Sequence, residues 1–389
     1  MTPTERDAAF WRDLKEEMIA AAPELGIDKI GVASAEPFTE LKERLVRHRE
    51  LGYESGFEEP DLDKRTEPAL LMPNARSIIS IAVAYPSKLK NAPVSEPGKR
   101  RGILSRSAWG VDYHDALRRR LDRLAAWLTE RVPEVSLMPM VDTGELADRA
   151  VAERAGIGWS GSNCAIISPE LGSWMYLGEM ITDLPLPTDQ PIADGCGDCT
   201  ICIDACPTGA LVGPGQLNAQ RCISFVTQTK GLVDEELMLK IGNRLYGCDT
   251  CQIVCPVNRG IDMRHHTELL PDPEVAKPLL RPLLAMGNRE FRDKFGASAA
   301  AWRGRKPIQR NALIGLGNFR DAESVPDVAR VLREDPRPEL RATAAWALGR
   351  IGGQAAVDAL AAALTAEQDD TVRDAAQRAL AKIEPVSAP

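Results

Sequence analysis

Apolar positions along this chain change period several times, and each change marks an element. Residues 77–85 (SIISIAVAY) form one short, β-branched apolar run, the signature of a buried strand. Residues 112–132 switch to helical spacing. Leu117, Leu121, Leu124 and Leu128 make one stripe, with Arg118, Arg119, Arg120 and Arg123 around it. Residues 135–141 (VSLMPMV) read as a further strand that ends at Asp142, with a helix over about 144–155. NCAIIS (163–168) and SWMYLGEMIT (173–182) flank the turn-like PELG and predict a hairpin. The first 18 residues are charged and read helical, with Phe10, Trp11 and Leu14 as apolar points. The proline-rich stretch 183–191 reads as a boundary.

From about residue 301 the composition turns to Ala, Leu and Arg and repeats with a period of 32. Leu316-Gly317, Leu348-Gly349 and Leu380-Ala381 align, as do Val325 with Val357 and Leu332 with Leu364. Each unit is a helix pair that cannot bury its apolar face alone and must stack, as in HEAT-type repeats. So short a solenoid is expected to dock on the domain before it.

Composition narrows the class. The chain has 389 residues, 44% hydrophobic and 27% charged, which suits two or three soluble domains. No apolar run reaches spanning length, and the N-terminus lacks the apolar core of a signal peptide, so no membrane and a cytoplasmic location are expected. The net charge of −8 does not favour a generic nucleic-acid binder, although local patches decide.

Nine cysteines change the picture more. All but Cys164 crowd into residues 196–255, and clustered cysteines in such a chain mean metal before disulfides. Cys196-x2-Cys199-x2-Cys202-x3-Cys206-Pro207 has bacterial ferredoxin spacing, in which the last Cys ligates the other cluster. The second set is Cys222 with Cys248-x2-Cys251-x3-Cys255-Pro256, its first Cys displaced 26 residues upstream of Cys248. By this logic Cys196, Cys199, Cys202 and Cys255 hold one 4Fe–4S cluster. Cys206, Cys222, Cys248 and Cys251 hold a second. Zinc prefers separated CxxC knuckles and suits the compact run poorly. Cys164 reads as a small buried residue. Two adjacent clusters form a wire, and no GxGxxG between strand and helix supplies its end.

Several segments together resemble the epoxyqueuosine reductase family: LGIDKIGVASAEP (25–37), WGVDYHDALRRRL (109–121), VDTGELADRAVAERAGIGWSGSN (141–163), GSWMYLGEMITDLPLP (172–187), CGDCTICIDACPTGAL (196–211), RCISF (221–225) and GNRLYGCDTCQIVCPVN (242–258). The resemblance covers nearly the whole chain. It implies reduction of the epoxide of epoxyqueuosine to queuosine at the wobble position of a tRNA anticodon. It implies cobalamin in an N-terminal domain related to reductive dehalogenases, fed by two 4Fe–4S clusters and an external electron donor. The expected fold class is therefore α+β multidomain. An α/β cobalamin-binding catalytic domain spans 1–185 and a ferredoxin-like two-cluster domain 186–262. A basic link over 263–300 and α-helical HEAT-like repeats over 301–389 follow. A monomer is expected, because the repeats end in a polar helix (Asp374, Gln377, Arg378).

Site residues follow from the same match. Asp142 matches the family's proposed proton donor. As a general acid near neutral pH it would need a pKa raised by burial. DTGEL also reads as a helix cap, the competing structural role for Asp142. Arg65, Asp142, Ser168, Ser224, Asp249 and Thr250 are the candidate cobalamin contacts, and His114 is a corrin-side, substrate or packing residue. The glycine-rich turn 156–163 allows close backbone approach to a flat ligand. Residues 281–310 hold eight Lys/Arg and two acidic residues. Arg281, Arg289, Arg292, Arg303, Arg305, Lys306 and Arg310 are candidate tRNA phosphate contacts. A cobalamin-dependent reductive dehalogenase and a ferredoxin-type electron carrier on a repeat scaffold are the alternatives.

Overall fold

The computed structural model describes residues 6–142 and 144–383. The chain divides into two compact units that interleave in sequence. The first comprises 1–87, 111–222 and 250–270; the second comprises 88–110, 223–249 and 271–389.

The first unit is built on a four-stranded sheet of β1 (Lys29–Ser34), β2 (Ser77–Ala84), β3 (Leu137–Met140) and β4 (Met175–Thr182), in the order β1-β2-β4-β3. Every pairing is antiparallel, with Ile30 opposite Ile81, Ile79 opposite Met180 and Met140 opposite Glu179. The predicted buried strand is β2, and all its residues are buried. Its period of two sorts them by face. Ile79, Ile81 and Val83 pack with α1 (Ala8–Ala21) and α2 (Tyr113–Arg131), while Ile78, Ala82 and Ala84 face a second core that includes Val151 and Ala152 of α3 (Asp148–Arg154). Each such Ile or Val side chain contributes about 1.5–3 kcal/mol by leaving water.

The α2 stripe behaves as its spacing predicts: Leu117, Leu121, Leu124 and Leu128 are all buried. Arg120, read as part of the polar surround, is buried as well. It donates to the Gly26 and Ala116 carbonyls and to Glu268 Oε1.

The predicted hairpin does not form as one. Ile166–Ile167 pairs with Trp159–Ser160, and only Ser168 bridges to Gly172. The reason is that β2 and β3 already occupy both edges of β4. Asp142 is not a helix cap either. Helix α3 starts at Asp148 behind Ala147, six residues later than Asp142.

The second unit is mainly helical. Helices α4 (Arg305–Phe319), α5 (Val325–Glu334), α6 (Pro338–Ile351), α7 (Gln354–Ala366) and α8 (Asp370–Lys382) carry the 32-residue period. Leu316 and Leu348 are fully buried at equivalent places in α4 and α6. The glycines after them let helices touch: a Cβ on Gly317 would sit 2.9 Å from Trp346, and one on Gly349 would sit 2.7 Å from Ala379. The repeats share one core with Leu104, Ile223, Val226, Leu245 and Leu280 of the same unit.

Arg310 corrects one expectation. It is 2% exposed and faces inward from α4. Its guanidinium donates to the carbonyls of Val226 (2.9 Å), Thr229 (2.8 Å) and Gly231 (3.0 Å). Asn311 beside it donates to Thr227 and Leu245 carbonyls, both at 2.8 Å. Arg310 is thus a clamp on the 226–231 loop, with no face left for a phosphate. Burial pulls its pKa down to about 10.

Candidate active site

A group of interacting ionisable side chains in the first unit gathers where β3 ends and α2 begins. Asp112 is the N-cap of α2, and its carboxylate accepts the His114 backbone N–H at 3.0 Å. The same oxygen lies 2.7 Å from His114 Nδ1, which fixes the ring. His114 Nε2 lies 3.3 Å from Asp142 Oδ2. Tyr113 Oη donates to that Asp142 oxygen at 2.5 Å, and the Tyr113 ring stacks on Tyr176 with centroids 5.0 Å apart. One hydroxyl donor and one imidazole at ion-pair distance, both in the first turn of a helix, therefore face one carboxylate, where the helix dipole also favours negative charge.

Asp142 itself has φ of +49°, a left-handed backbone that a non-glycine residue adopts at a cost of about 1 kcal/mol. Its side chain is 56% exposed. These facts reverse the expected electrostatics. The neighbouring His114 imidazole is the largest influence and holds the Asp142 carboxyl below its ordinary range. Burial works against this, and Tyr113 adds to it. His114, set between Asp112 and Asp142, is raised to about 9. At neutral pH the proton therefore resides on the imidazole and the charge on Asp142. Acids with raised pKa do exist nearby, one step deeper. Burial pushes Asp148 up to about 6, and Glu179, 1% exposed in β4, is pushed well above the carboxylate range by burial and by Asp148.

Tyr113, Asp112, Asp148 and Glu179 went unpredicted. The signal for the first two is the cap pattern Asp-x-His before an apolar stripe. For Glu179 it is a lone acid inside an otherwise apolar strand.

Of the cobalamin candidates, Arg65, Asp142, Ser168 and Thr250 belong to the first unit, and Ser224 and Asp249 to the second. Arg65 is half-buried, and burial lowers its pKa. Ser168 is fully buried and donates to Glu170 Oε2 at 2.5 Å. The Ser224 carbonyl accepts from Thr227 and Gln228. Asp249 is engaged internally: Oδ2 accepts from the Arg106 backbone at 3.0 Å and its guanidinium at 2.9 Å.

Cysteines 196, 199, 202, 206, 222, 251 and 255 lie in the first unit and Cys248 in the second, and no disulfide joins any of them. Cys196 Sγ accepts hydrogen bonds from Trp159 Nε1 at 3.4 Å and from the Ser162 N–H at 3.5 Å. Burial tends to raise the Cys206 thiol, but the N–H groups of Leu211, Thr208 and Ala210 outweigh it and bring the pKa below normal. The lowered Cys206 thiol suits a cluster ligand, which binds as thiolate, whereas burial raises the Cys202 thiol. Asn163 Nδ2, in the glycine-rich turn, is buried without a hydrogen-bond partner among the described residues. Such a donor fits an amide-fringed macrocycle.

Asp28, His265 and His266 also bring ligand-type atoms within 4.8 Å of one another. Arg120 Nη2 lies 3.1 Å from His266 Nδ1, and a guanidinium can only donate. The His266 Nε2 proton then points at Asp28 Oδ2, 2.8 Å away, so this cluster is a closed hydrogen-bond network.

Of the tRNA candidates, Arg289 is 90% exposed, and Arg292 and Lys306 are exposed too. Arg281 is paired to Asp327 at 2.7 Å. Arg303 donates to the Gln228 carbonyl at 3.1 Å, and Arg305 to Asn288 Oδ1 at 2.6 Å.

A cysteine segment with ferredoxin spacing and a separate proton-holding site define an iron–sulfur redox enzyme with a helical-repeat C-terminal region. Comparisons with known proteins make this specific. Residues 65–143 match the family model "Epoxyqueuosine reductase QueG, DUF1730", residues 195–258 the model "4Fe-4S double cluster binding domain", and residues 299–381 the model "HEAT repeats". The epoxyqueuosine reductase of Bacillus cereus is 58% identical over 370 residues, covering 95% of this chain and 97% of that one. A crystal structure of epoxyqueuosine reductase with an epoxyqueuosine-modified tRNA-Tyr stem loop aligns with a TM-score of 0.93 at 56% identity, over 95% of this chain and 99% of that one. A Bacillus subtilis epoxyqueuosine reductase, solved with its aspartate-bearing catalytic loop swung out of the active site, aligns with a TM-score of 0.93 at 55% identity, over 96% and 99%. The chain belongs to the epoxyqueuosine reductase family and is an oxidoreductase. Membership selects this reading over the dehalogenase and the electron carrier. Among the described residues, no helix is long and apolar enough to cross a membrane.

Proposed function

We propose that this chain reduces epoxyqueuosine to queuosine at the wobble position of tRNA, working in the cytoplasm as a monomer. The observation that carries the reading is the exposed Asp142 carboxylate, held by Tyr113 and His114 at the end of β3. Removing an epoxide oxygen as water takes two electrons and two protons and leaves a carbon–carbon double bond. When bound, cobalamin supplies a low-valent metal able to open a strained C–O bond, and two 4Fe–4S clusters supply one-electron steps from an external electron donor.

The chain's own residues hold these groups and handle the protons. Cys196, Cys199, Cys202 and Cys255 would ligate one cluster, and Cys206, Cys222, Cys248 and Cys251 the other. Arg65, Asn163, Ser168, Ser224 and Thr250 would hold cobalamin, with Asp142 at the reacting side. Asp249 would act through Arg106.

As the C–O bond opens, the oxygen gathers negative charge and needs an acid within reach. Asp142 delivers the first proton, drawn from His114, which carries it at neutral pH. Asp112 keeps the imidazole aimed during the transfer. The second proton comes from water, which reaches the exposed carboxylate. The related structure with a tRNA stem loop supports tRNA as substrate here. Arg289, Arg292 and Lys306 are the exposed cations offered to phosphates.

The test is conversion of an epoxyqueuosine-modified stem loop by anaerobically reconstituted, cobalamin-loaded enzyme with a chemical reductant, read by nucleoside mass spectrometry. Queuosine should form with wild-type protein. Absence of queuosine under full cluster and corrin loading would refute the reading.

A further inference from the structure

The Asp142 loop stands on a pair of carboxyl groups that the mechanism above does not use. Glu179 sits in the middle of β4, opposite Met140 of β3 and Ser80 of β2. Its face of the sheet is the one covered by α3, and Asp148 is the first residue of that helix. Glu179 is 1% exposed, and its Oε1 has no hydrogen-bond partner among the described residues. The Asp148 carboxyl is its ionisable neighbour, within side-chain hydrogen-bonding reach, and helps to push its pKa up. Asp148 Oδ2 in turn accepts the backbone N–H of Asp142 at 3.1 Å.

A buried carboxylate without cationic partners is expensive, so one member of such a pair keeps its proton. The chain of contacts says which way the bonds run. The amide of Asp142 can only donate, so Asp148 must accept there. A charged acceptor makes the stronger bond. The member able to supply an O–H to that carboxylate is Glu179.

We propose that Asp148 and Glu179 are positioning residues for the active-site loop: neutral Glu179 donates to ionised Asp148, which holds the Asp142 amide and so fixes its left-handed turn. This rests on the reading that Asp142 serves the reaction. The charged and titratable groups facing the pair are Asp142 itself and, around it, His114, Asp112, Tyr113 and Arg149. None supplies a cation in contact with Glu179. Burial and Asp148 push the Glu179 pKa well above the ordinary carboxylate range, and burial raises Asp148 to about 6, which agrees with a proton held by the pair. Below about pH 6 Asp148 takes up a second proton, its hold on the Asp142 amide weakens, and the loop loosens.

The direct test has two readouts on holoenzyme. The first is difference infrared spectroscopy of the protonated-carboxyl C=O stretch. A band should persist in wild type and in Asp142→Ala at pH 7 to 8 and vanish in Glu179→Gln. Its absence from wild type, or its persistence in Glu179→Gln, overturns the proposal.

The second is single-turnover conversion of the modified stem loop against pH. Glu179→Ala should lose about tenfold, the scale of one lost buried hydrogen bond. Glu179→Gln, which keeps the donor, should recover to within about threefold. Asp148→Asn should abolish the fall in rate on the acid side of about pH 6. Wild-type rates in Glu179→Ala, or an unchanged acid limb in Asp148→Asn, overturn the positioning role while leaving Asp142 in the mechanism. Should Asp142→Ala instead turn over normally with the band intact, the proposed function fails and the shared proton stands. If Glu179→Ala does not fold, the wild-type band and the Asp148→Asn profile still decide.

Discussion

Asp142 and Arg310 are both charged residues in costly positions, and they resolve the cost in opposite ways. Asp142 is exposed, strained in its backbone and surrounded by groups that exchange protons: His114, Tyr113 and, beneath it, Asp148. Arg310 is buried in a regular helix and surrounded by carbonyls that cannot ionise. A charge among titratable partners can move a proton. A charge among fixed dipoles can only hold a loop in place. A charged residue is thus placed where protons can move in the first unit and where a loop is held in the second.

That contrast can be broken by substitution. The largest effect should come from Asp142→Ala. We expect turnover to fall by about 10²–10⁴-fold, the scale of a positioned acid, with thermal stability retained. Single-turnover kinetics and a melting curve check this together. Arg310→Met should do the reverse. It leaves the 226–231 carbonyls unpaired and should cost about 3–5 kcal/mol in denaturant unfolding, the scale for breaking a buried charged network.

Next is Gly349→Ala, whose added methyl would meet Ala379 at 2.7 Å. Overpacking of this kind costs about 1–3 kcal/mol, and calorimetry should register a lowered Tm. The smallest effect is reserved for the exposed cations. Reversing Arg289, Arg292 and Lys306 together should weaken stem-loop binding and flatten its salt dependence, while Arg310→Met, where folded, should leave the salt slope unchanged. A salt slope that ignores the three exposed cations would remove this patch as a docking surface.

The two regions also differ in how far they could be read in advance. The repeats were legible because a period of 32 and paired Leu-Gly positions carry their own packing logic: Gly317 and Gly349 are glycines because neighbouring helices press on them. The β2 strand and the α2 stripe were legible for similar reasons of period. The cysteine ligand sets rest on spacing. What escaped prediction depends on long-range company. Asp142 was expected to be an acid with a raised pKa, yet His114, 28 residues upstream, lowers it. Glu179 looked like one polar residue in a hairpin, and its meaning comes from Asp148 across the sheet–helix layer. Arg310 lay within a basic run that suggests a surface, but the helical phase turns it inward onto 226–231. Periodicity reports which face a residue takes. It does not report which loop waits there.

On the proposed mechanism, His114 stores the proton that Asp142 delivers. The most direct measurement is the pH dependence of single-turnover queuosine formation by wild-type and His114→Gln holoenzyme. His114 is raised to about 9, so it is protonated below that pH and loses its proton as pH rises through it. The account predicts a wild-type rate that holds through neutral pH and falls as pH rises through about 9, and a His114→Gln rate that is lower throughout and lacks that fall. An alkaline limb that survives unchanged in His114→Gln, at wild-type rate, would contradict it.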